Sequence, residues 1–202
     1  MGTKGGARGR SARVRIIGGA WRRRWLPVAP VPGLRPSADA QRETLFNWLQ
    51  PLLPGARALD LFAGTGALGL EAASRGAASV LLVEKNPVAA RQLDANCLKL
   101  GARQVAVRRD DALRLLTTGC REAGLGPFDI VFVDPPFGRG MTIPVLEKLL
   151  DGGWLAPGAR VYLEQEQGLA APLGWDVLRE RTCGEARGLL LADPKSADNA
   201  ER

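Results

Sequence analysis

Leu59-Asp60-Leu61-Phe62-Ala63 runs directly into Gly64-Thr65-Gly66-Ala67-Leu68-Gly69. An apolar run, a glycine-rich turn and an Ala/Leu-rich helical stretch, in that order, leave few architectures open. The glycines let the backbone double back and let the next helix lie close on the strand. The same rhythm then repeats. Residues 80–84, 105–108 and 129–133 read as further strands, and 67–75, 87–100, 112–121 and 143–150 as helices. Residues 56–62 form the first strand of the series, and 160–164, 176–179 and 188–191 the last three. The strands are short apolar runs rather than strict alternations, as in a parallel sheet covered on both faces. The expected fold class is therefore α/β, a Rossmann-like, mostly parallel sheet with helices on both sides.

A chain of 202 residues holds one such domain with a sizeable core. We expect it to span 37–192, its first helix running 37–49 with Ser37 as N-cap. Ahead of it, 13–36 reads as an N-terminal hairpin with Gly18-Gly19 near its turn, then an extended linker holding Pro27, Pro30, Pro32 and Pro36. Residues 1–12 read as a flexible basic arm and 193–202 as a polar tail. The net charge of +7 is unevenly spread. Lys4, Arg8, Arg10, Arg13, Arg15, Arg22, Arg23 and Arg24 stand together without an acid, so the rest of the chain is nearly neutral. A near-neutral domain with a basic arm has the electrostatic outline of a polyanion binder.

Composition removes several chemistries. The chain has no histidine, which excludes Ser-His-Asp and Cys-His catalysis, histidine-ligated zinc and a histidine pH switch. Its three cysteines, Cys97, Cys120 and Cys183, are far apart, so neither a disulfide framework nor a metal site is expected. No stretch has the length and apolarity of a membrane span, and the basic N-terminus lacks the apolar segment of a secretory signal. A reduced, cytoplasmic protein is the expectation.

The glycine-rich turn has a partner: Glu84, twenty residues after Gly64, closes the second strand. A strand-end carboxylate there accepts ribose hydroxyls while the turn lets backbone approach the ligand, which alone would suggest NAD. Asp60 argues against NAD, because a carboxylate at the end of the first strand repels a pyrophosphate. It suits an ammonium group. S-adenosyl-L-methionine has a ribose, an adenine and an amino-acid ammonium but no phosphate. The candidate contacts are Asp60, Phe62, Ala63, Gly64, Thr65, Gly66, Gly69, Glu84, Lys85, Asp111, Ala112 and Asp134. Asp111 is placed to accept the adenine amino group. Asp110 competes for that role, and either suits the N-cap of the following helix.

Asp134-Pro135-Pro136-Phe137 follows the apolar strand 129–133 and faces the same crevice, because ligands of open α/β sheets lie beyond the strands' carboxyl ends. An exocyclic amino group on a base is a poor nucleophile, its lone pair being delocalised into the ring. The Asp134 carboxylate and the Pro135 carbonyl can each accept one N–H and draw the nitrogen toward sp³. Pro136 helps to fix the carbonyl's direction, and Phe137 offers a face on which an extruded base can stack.

With these motifs in view, the chain resembles the bacterial RsmD family of small-subunit ribosomal RNA guanine-N2 methyltransferases, from Arg15 to about Leu191. The core motifs are shared by many amino-methyltransferases. Arg15-Ile16-Ile17-Gly18-Gly19-Ala20-Trp21-Arg22, Leu34-Arg35-Pro36-Ser37-Ala38-Asp39, Arg42–Asn47 and Glu71 are more specific. The resemblance implies a seven-stranded methyltransferase sheet with its last strand antiparallel, and a guanine of 16S rRNA in the small ribosomal subunit as target. It places Arg35, Pro36 and Ser37 at the edge of the cofactor pocket, and Arg13, Arg15, Trp21, Arg22, Arg23 and Arg24 on RNA. A monomer without membrane contact is expected. The chain departs from the family in reading Trp21-Arg22-Arg23-Arg24-Trp25, where a glycine usually separates the arginines, and in ending its last strand Gly188-Leu189-Leu190-Leu191. On the residues alone, a DNA amino-methyltransferase acting on adenine N6 or cytosine N4 and a non-catalytic rRNA-binding assembly factor remain open. The former would lack an obvious target-recognition domain.

Overall fold

The computed structural model describes residues 12–32, 34 and 39–193. The expected basic arm, most of the polar tail, the Ser37 cap and the Arg35-Pro36-Ser37 segment lie outside these residues. Two short antiparallel strands, β1 (Arg13–Arg15) and β2 (Trp25–Pro27), form the N-terminal hairpin, with a single 3-10 turn at Gly19–Trp21 between them. The main domain alternates α1 (Asp39–Leu49), β3 (Arg57–Asp60), α2 (Ala67–Ser74), β4 (Ser79–Val83), α3 (Pro87–Leu100), β5 (Val105–Arg108), α4 (Ala112–Thr118), β6 (Phe128–Val133) and α5 (Thr142–Asp151). It ends on β7 (Leu155–Glu166), β8 (Asp176–Cys183) and β9 (Ala186–Ala192).

The sheet has seven strands in the order β5-β4-β3-β6-β7-β9-β8. Neighbours from β5 to β7 are parallel, and β9 runs antiparallel to both β7 and β8. Alternation along each strand feeds two cores. Ala58, Ile130, Phe132, Tyr162 and Leu190 pack with α1, α2, α3 and the hairpin. Leu59, Val131, Val133, Val161, Leu163, Leu189 and Leu191 pack with α4 and α5. Burial on both faces is why these strands read as continuous apolar runs.

The element boundaries differ from expectation where local chemistry intervenes. Helix α4 stops at Thr118, not 121, because Gly119 takes a positive φ of 84°. Strand β7 reaches from Leu155 to Glu166, well beyond 160–164, with an irregularity opposite Phe128 and Ile130. Its residues 155–158 include a proline and a glycine, which masked the strand pattern. Strand β8 is exposed along most of its length and so lacks an apolar signature. No helix among the described residues is long and apolar enough to cross a membrane.

The hairpin is fastened to α2 through Glu71, which is fully buried. Its two oxygens accept the Ile17 and Gly18 backbone N–H groups, each at 2.7 Å, and Oε1 also accepts Arg75 Nε at 2.7 Å. Ser74 Oγ accepts the Trp21 N–H at 2.9 Å and donates to the Gly18 carbonyl at 2.6 Å. Buried Arg42 reaches from α1 to the Arg15 carbonyl at 2.9 Å, to Asp39 at 2.7 Å, and lies 3.8 Å from Glu71. Gly19 is required at this seam: its φ is +75°, and a Cβ there would run into the Ser74 carbonyl. The motif residues at 15–22, 42 and 71 thus form one contact.

Arg23 has a φ of 68°, the sole non-glycine positive value among the described residues. An L-residue in this region carries a penalty of about 1 kcal/mol. Two outcomes follow. Glu71→Ala strips two backbone donors and Arg75 Nε of their acceptor and removes the charge beside buried Arg42, and should lower unfolding free energy by about 3–5 kcal/mol in a denaturant titration. Arg23→Gly should leave the fold intact and raise the melting temperature by about 2–4 °C; a fall would mean that the Arg23 side chain stabilises the hairpin.

Candidate active site

The carboxyl ends of β3, β4, β5 and β6 open onto one crevice. On the β3 side, Gly64 and Gly66 take positive φ values of 51° and 79°, and Gly66 starts α2. Glu84, just after β4, bonds this turn: Oε2 accepts the Gly64 N–H at 2.9 Å, and Oε1 accepts the Asn86 N–H at 2.7 Å. The Gly69 N–H, in the first turn of α2, donates to Asp60 Oδ2 at 3.0 Å. A helix's first amides lack intrahelical partners and commonly receive an anion; here the chain's own carboxylate takes one of them. Gly69 must be glycine, because a Cβ would collide with Leu82 and stand 3.2 Å from Asp60 Oδ2.

Asp60 is only 1% exposed and its second oxygen, Oδ1, has no hydrogen-bond partner. Burial pushes its carboxyl up to about 7 against the pull of the Gly69 and Phe62 N–H groups, and the charge of Glu84 adds to the rise. Among the described residues, Arg42 Nε is the other fully buried polar side-chain atom without a hydrogen-bond partner.

Beyond β5 the two candidate aspartates have different work. Buried Asp110 accepts Arg114 Nε at 2.9 Å through Oδ1 and Arg108 Nε at 3.1 Å through Oδ2. Although burial opposes ionisation, these arginines and the Asp111 N–H hold its carboxyl below the ordinary range. Asp111 caps α4, accepting the Arg114 N–H at 3.2 Å through Oδ1, while its half-exposed Oδ2 lies 3.9 Å from Lys85 Nζ. Asp111 thus combines the cap with an accessible oxygen. Ala112, the first residue of α4, is buried.

After β6, Asp134 is half-buried and Pro135 buried, and Phe137 stands 43% exposed. The Gly138 N–H donates to Glu166 Oε1, tying the loop to the end of β7. Burial raises the Asp134 carboxyl well above its usual range, with the charges of Glu164 and Asp60 adding to it. Glu164, Tyr162 and Gln41 did not emerge from the sequence reading. Gln41 Nε2 donates to Tyr162 Oη at 3.0 Å and to Glu164 Oε2 at 2.9 Å, and Tyr162 Oη–H donates to the same Glu164 oxygen at 3.1 Å. The available signal was the chain's single tyrosine and an acid alternating with Val161 and Leu163.

Arg13, Arg22, Arg23 and Arg24 are exposed on the hairpin. Arg15 is partly committed, bonded to Asp39 at 2.9 Å and lying 5.8 Å over the Trp25 ring. Trp21 corrects an expectation: it is 9% exposed and packs in the core against α2, so it has little surface left for RNA. Trp25, 51% exposed, is the aromatic that faces solvent here. No cluster of metal-ligating side chains occurs among the described residues.

Comparison with known proteins bears on this geometry. The family model described as conserved hypothetical protein 95 matches residues 14–191. The Escherichia coli ribosomal RNA small subunit methyltransferase D is 47% identical over 178 residues, covering 87% of each chain. This chain belongs to the ribosomal RNA small subunit methyltransferase D family. The solved structure of yhhF from Escherichia coli superposes with a TM-score of 0.80 at 44% identity, covering 90% of this chain and 98% of that one. An RNA methyltransferase from Salinibacter ruber, solved with S-adenosyl-L-homocysteine, has a TM-score of 0.60 at 17% identity, covering 78% of this chain and 93% of its own. It shares the fold alone. The family-model match, from residue 14 to 191, includes the hairpin as well as the motifs at the strand ends.

In this family member the buried Asp60 sets a pH dependence of stability. An unfolded carboxyl titrates near 4, and the folded one holds its proton to about 7. The cost of ionising it in the fold therefore grows from about pH 4 to pH 7 and is constant above. Asp60→Asn removes that cost. In thermal unfolding the variant's gain over the wild type should rise across this window and level off. A pH-independent difference would mean that Asp60 ionises normally.

Proposed function

We propose that this protein transfers a methyl group from S-adenosyl-L-methionine to the exocyclic N2 amino group of a guanine in 16S ribosomal RNA. It acts in the cytoplasm, as a monomer, on the assembling or assembled small subunit. The observation that supports the reading is the unpartnered Oδ1 of Asp60 at the end of β3, with Asp134 and Pro135 following the neighbouring strand β6 in register.

The donor set fits the cofactor. An ammonium group supplies the hydrogen bond and positive charge that buried Asp60 lacks. Glu84 accepts one backbone N–H on each oxygen, and each oxygen keeps a lone pair for a ribose hydroxyl. Asp111 Oδ2 suits the adenine amino group, and Arg35, Pro36 and Ser37 belong at the pocket edge on the family's pattern. When bound, S-adenosyl-L-methionine supplies an electrophilic methyl group.

The protein's part is positioning. Asp134 and the Pro135 carbonyl each accept one N–H of the target amine, which draws the nitrogen out of conjugation and aims its lone pair at the methyl carbon. Phe137 offers its exposed ring to the extruded base. Arg13, Arg22, Arg23, Arg24 and Trp25 give the hairpin a basic and aromatic surface for RNA phosphates and bases. Arg23 holds a strained backbone there, so Arg23→Gly should weaken RNA binding while stabilising the fold.

The test is methyl transfer from labelled S-adenosyl-L-methionine to undermethylated small subunits, protein-free 16S RNA and duplex DNA, followed by nucleoside analysis. The expected product is N2-methylguanosine in RNA, with Asp134→Ala slower by at least about 100-fold. RNA affinity should fall steeply with salt, each hairpin arginine removed reducing the log–log slope by about 0.7–0.9. Label in DNA adenine or cytosine, or no label on any substrate, would overturn the assignment.

A further inference from the structure

Strand β7 brings another acid to the crevice. Phe132 pairs with Tyr162 and Val133 with Leu163, so Asp134 and Glu164 come next in the same register. Asp60 pairs with Phe132. By period-two alternation, Asp60, Asp134 and Glu164 therefore share the sheet face that α1 and α2 cover. Glu164 is 8% exposed. Its Oε2 takes both available donors, Gln41 Nε2 at 2.9 Å and Tyr162 Oη at 3.1 Å, and Gln41 fixes the tyrosine hydroxyl as a donor by bonding its oxygen at 3.0 Å.

Both donors are uncharged, and neither Asp60, Asp134 nor Glu164 forms an ion pair among the described residues. The arrangement orients the Glu164 carboxyl without pairing it to a cation, and burial raises it above its ordinary range against the pull of the Tyr162 hydroxyl. A purely structural role would be served by an uncharged glutamine, whereas an ionisable acid in register with Asp134 changes what Asp134 does with a proton.

We propose that Glu164 is a positioning residue for methyl transfer, readying Asp134 to take the proton that the target amine sheds. The inference rests on the methyl-transfer reading above. As the nitrogen lone pair forms the N–C bond, the C–S pair returns to sulfur, which becomes a neutral thioether. The nitrogen is left with one proton too many and a positive charge. That proton passes along its existing hydrogen bond to the Asp134 carboxylate. The groups facing Asp134 are Asp60 from β3 and Glu164 and Tyr162 from β7, with Glu84 acting on Asp60 from β4. The Glu164 charge raises the proton affinity of Asp134, in the same direction as its burial.

The experiment is the pH profile of the single-turnover rate, at saturating small subunits and S-adenosyl-L-methionine, for wild type, Glu164→Gln and Glu164→Asp. Glu164→Gln should slow transfer at least about tenfold while both affinities stay within about threefold. Its acid limb should move to lower pH by about one unit, because Asp134 then loses its proton more easily. Glu164→Asp keeps the charge, so its acid limb should stay with the wild type and part of the rate should return. If the glutamine variant does not fold, the aspartate variant carries the test alone, and a displaced limb there contradicts the proposal. A glutamine variant that loses melting temperature but keeps the wild-type limb makes Glu164 structural only. A wild type that methylates none of the substrates overturns the underlying reading, and this inference with it.

Discussion

The contact between Asp60 and the first turn of α2 organises the crevice. It takes a helix amide that comparable turns offer to a phosphate, and it places a carboxylate where a dinucleotide's pyrophosphate would lie. Only one of the two oxygens is satisfied. The fold thus holds a buried acid that is uncomfortable until a positively charged group arrives. Gly69 is small enough to allow the contact, the Gly64–Gly66 turn delivers the helix to it, and Glu84 braces that turn from the neighbouring strand. On the proposed reading, the stability given up at Asp60 serves selectivity for a cation.

A second set of contacts joins substrate recognition to this core. Glu71 and Ser74 lie in the same helix whose first turn meets Asp60, and they hold the hairpin by its backbone. The basic tip is carried on the element that shapes the crevice, so RNA bound there, as proposed above, would have a defined relation to Asp134. Arg23 shows what that tip costs. Its backbone occupies a conformation suited to glycine, and the chain carries an exposed cation there.

The strand–turn–helix rhythm and the two motifs were legible because each depends on local chemistry: glycines at a tight turn, an acid closing a strand, prolines after an apolar run. The sequence also pointed to Asp111, but could not separate it from Asp110; the difference lies in Arg108 and Arg114, which occupy Asp110 in three dimensions. Trp21 was misread because a tryptophan beside arginines looks like an RNA contact, while its burial depends on Ser74, more than fifty residues away. Glu164, Tyr162 and Gln41 were missed for the same reason. Their meaning comes from the register of β6 against β7 and from α1 lying over both, and neither leaves a trace in spacing.

The claim that most of this rests on is that Asp60 recognises a cationic ligand. A crystal structure of the protein with S-adenosyl-L-methionine tests it directly. The account predicts the ligand's ammonium within about 3 Å of Asp60 Oδ1, with the ribose hydroxyls on Glu84. A complex in which Asp60 Oδ1 stays unpartnered and the ammonium is held elsewhere would contradict it.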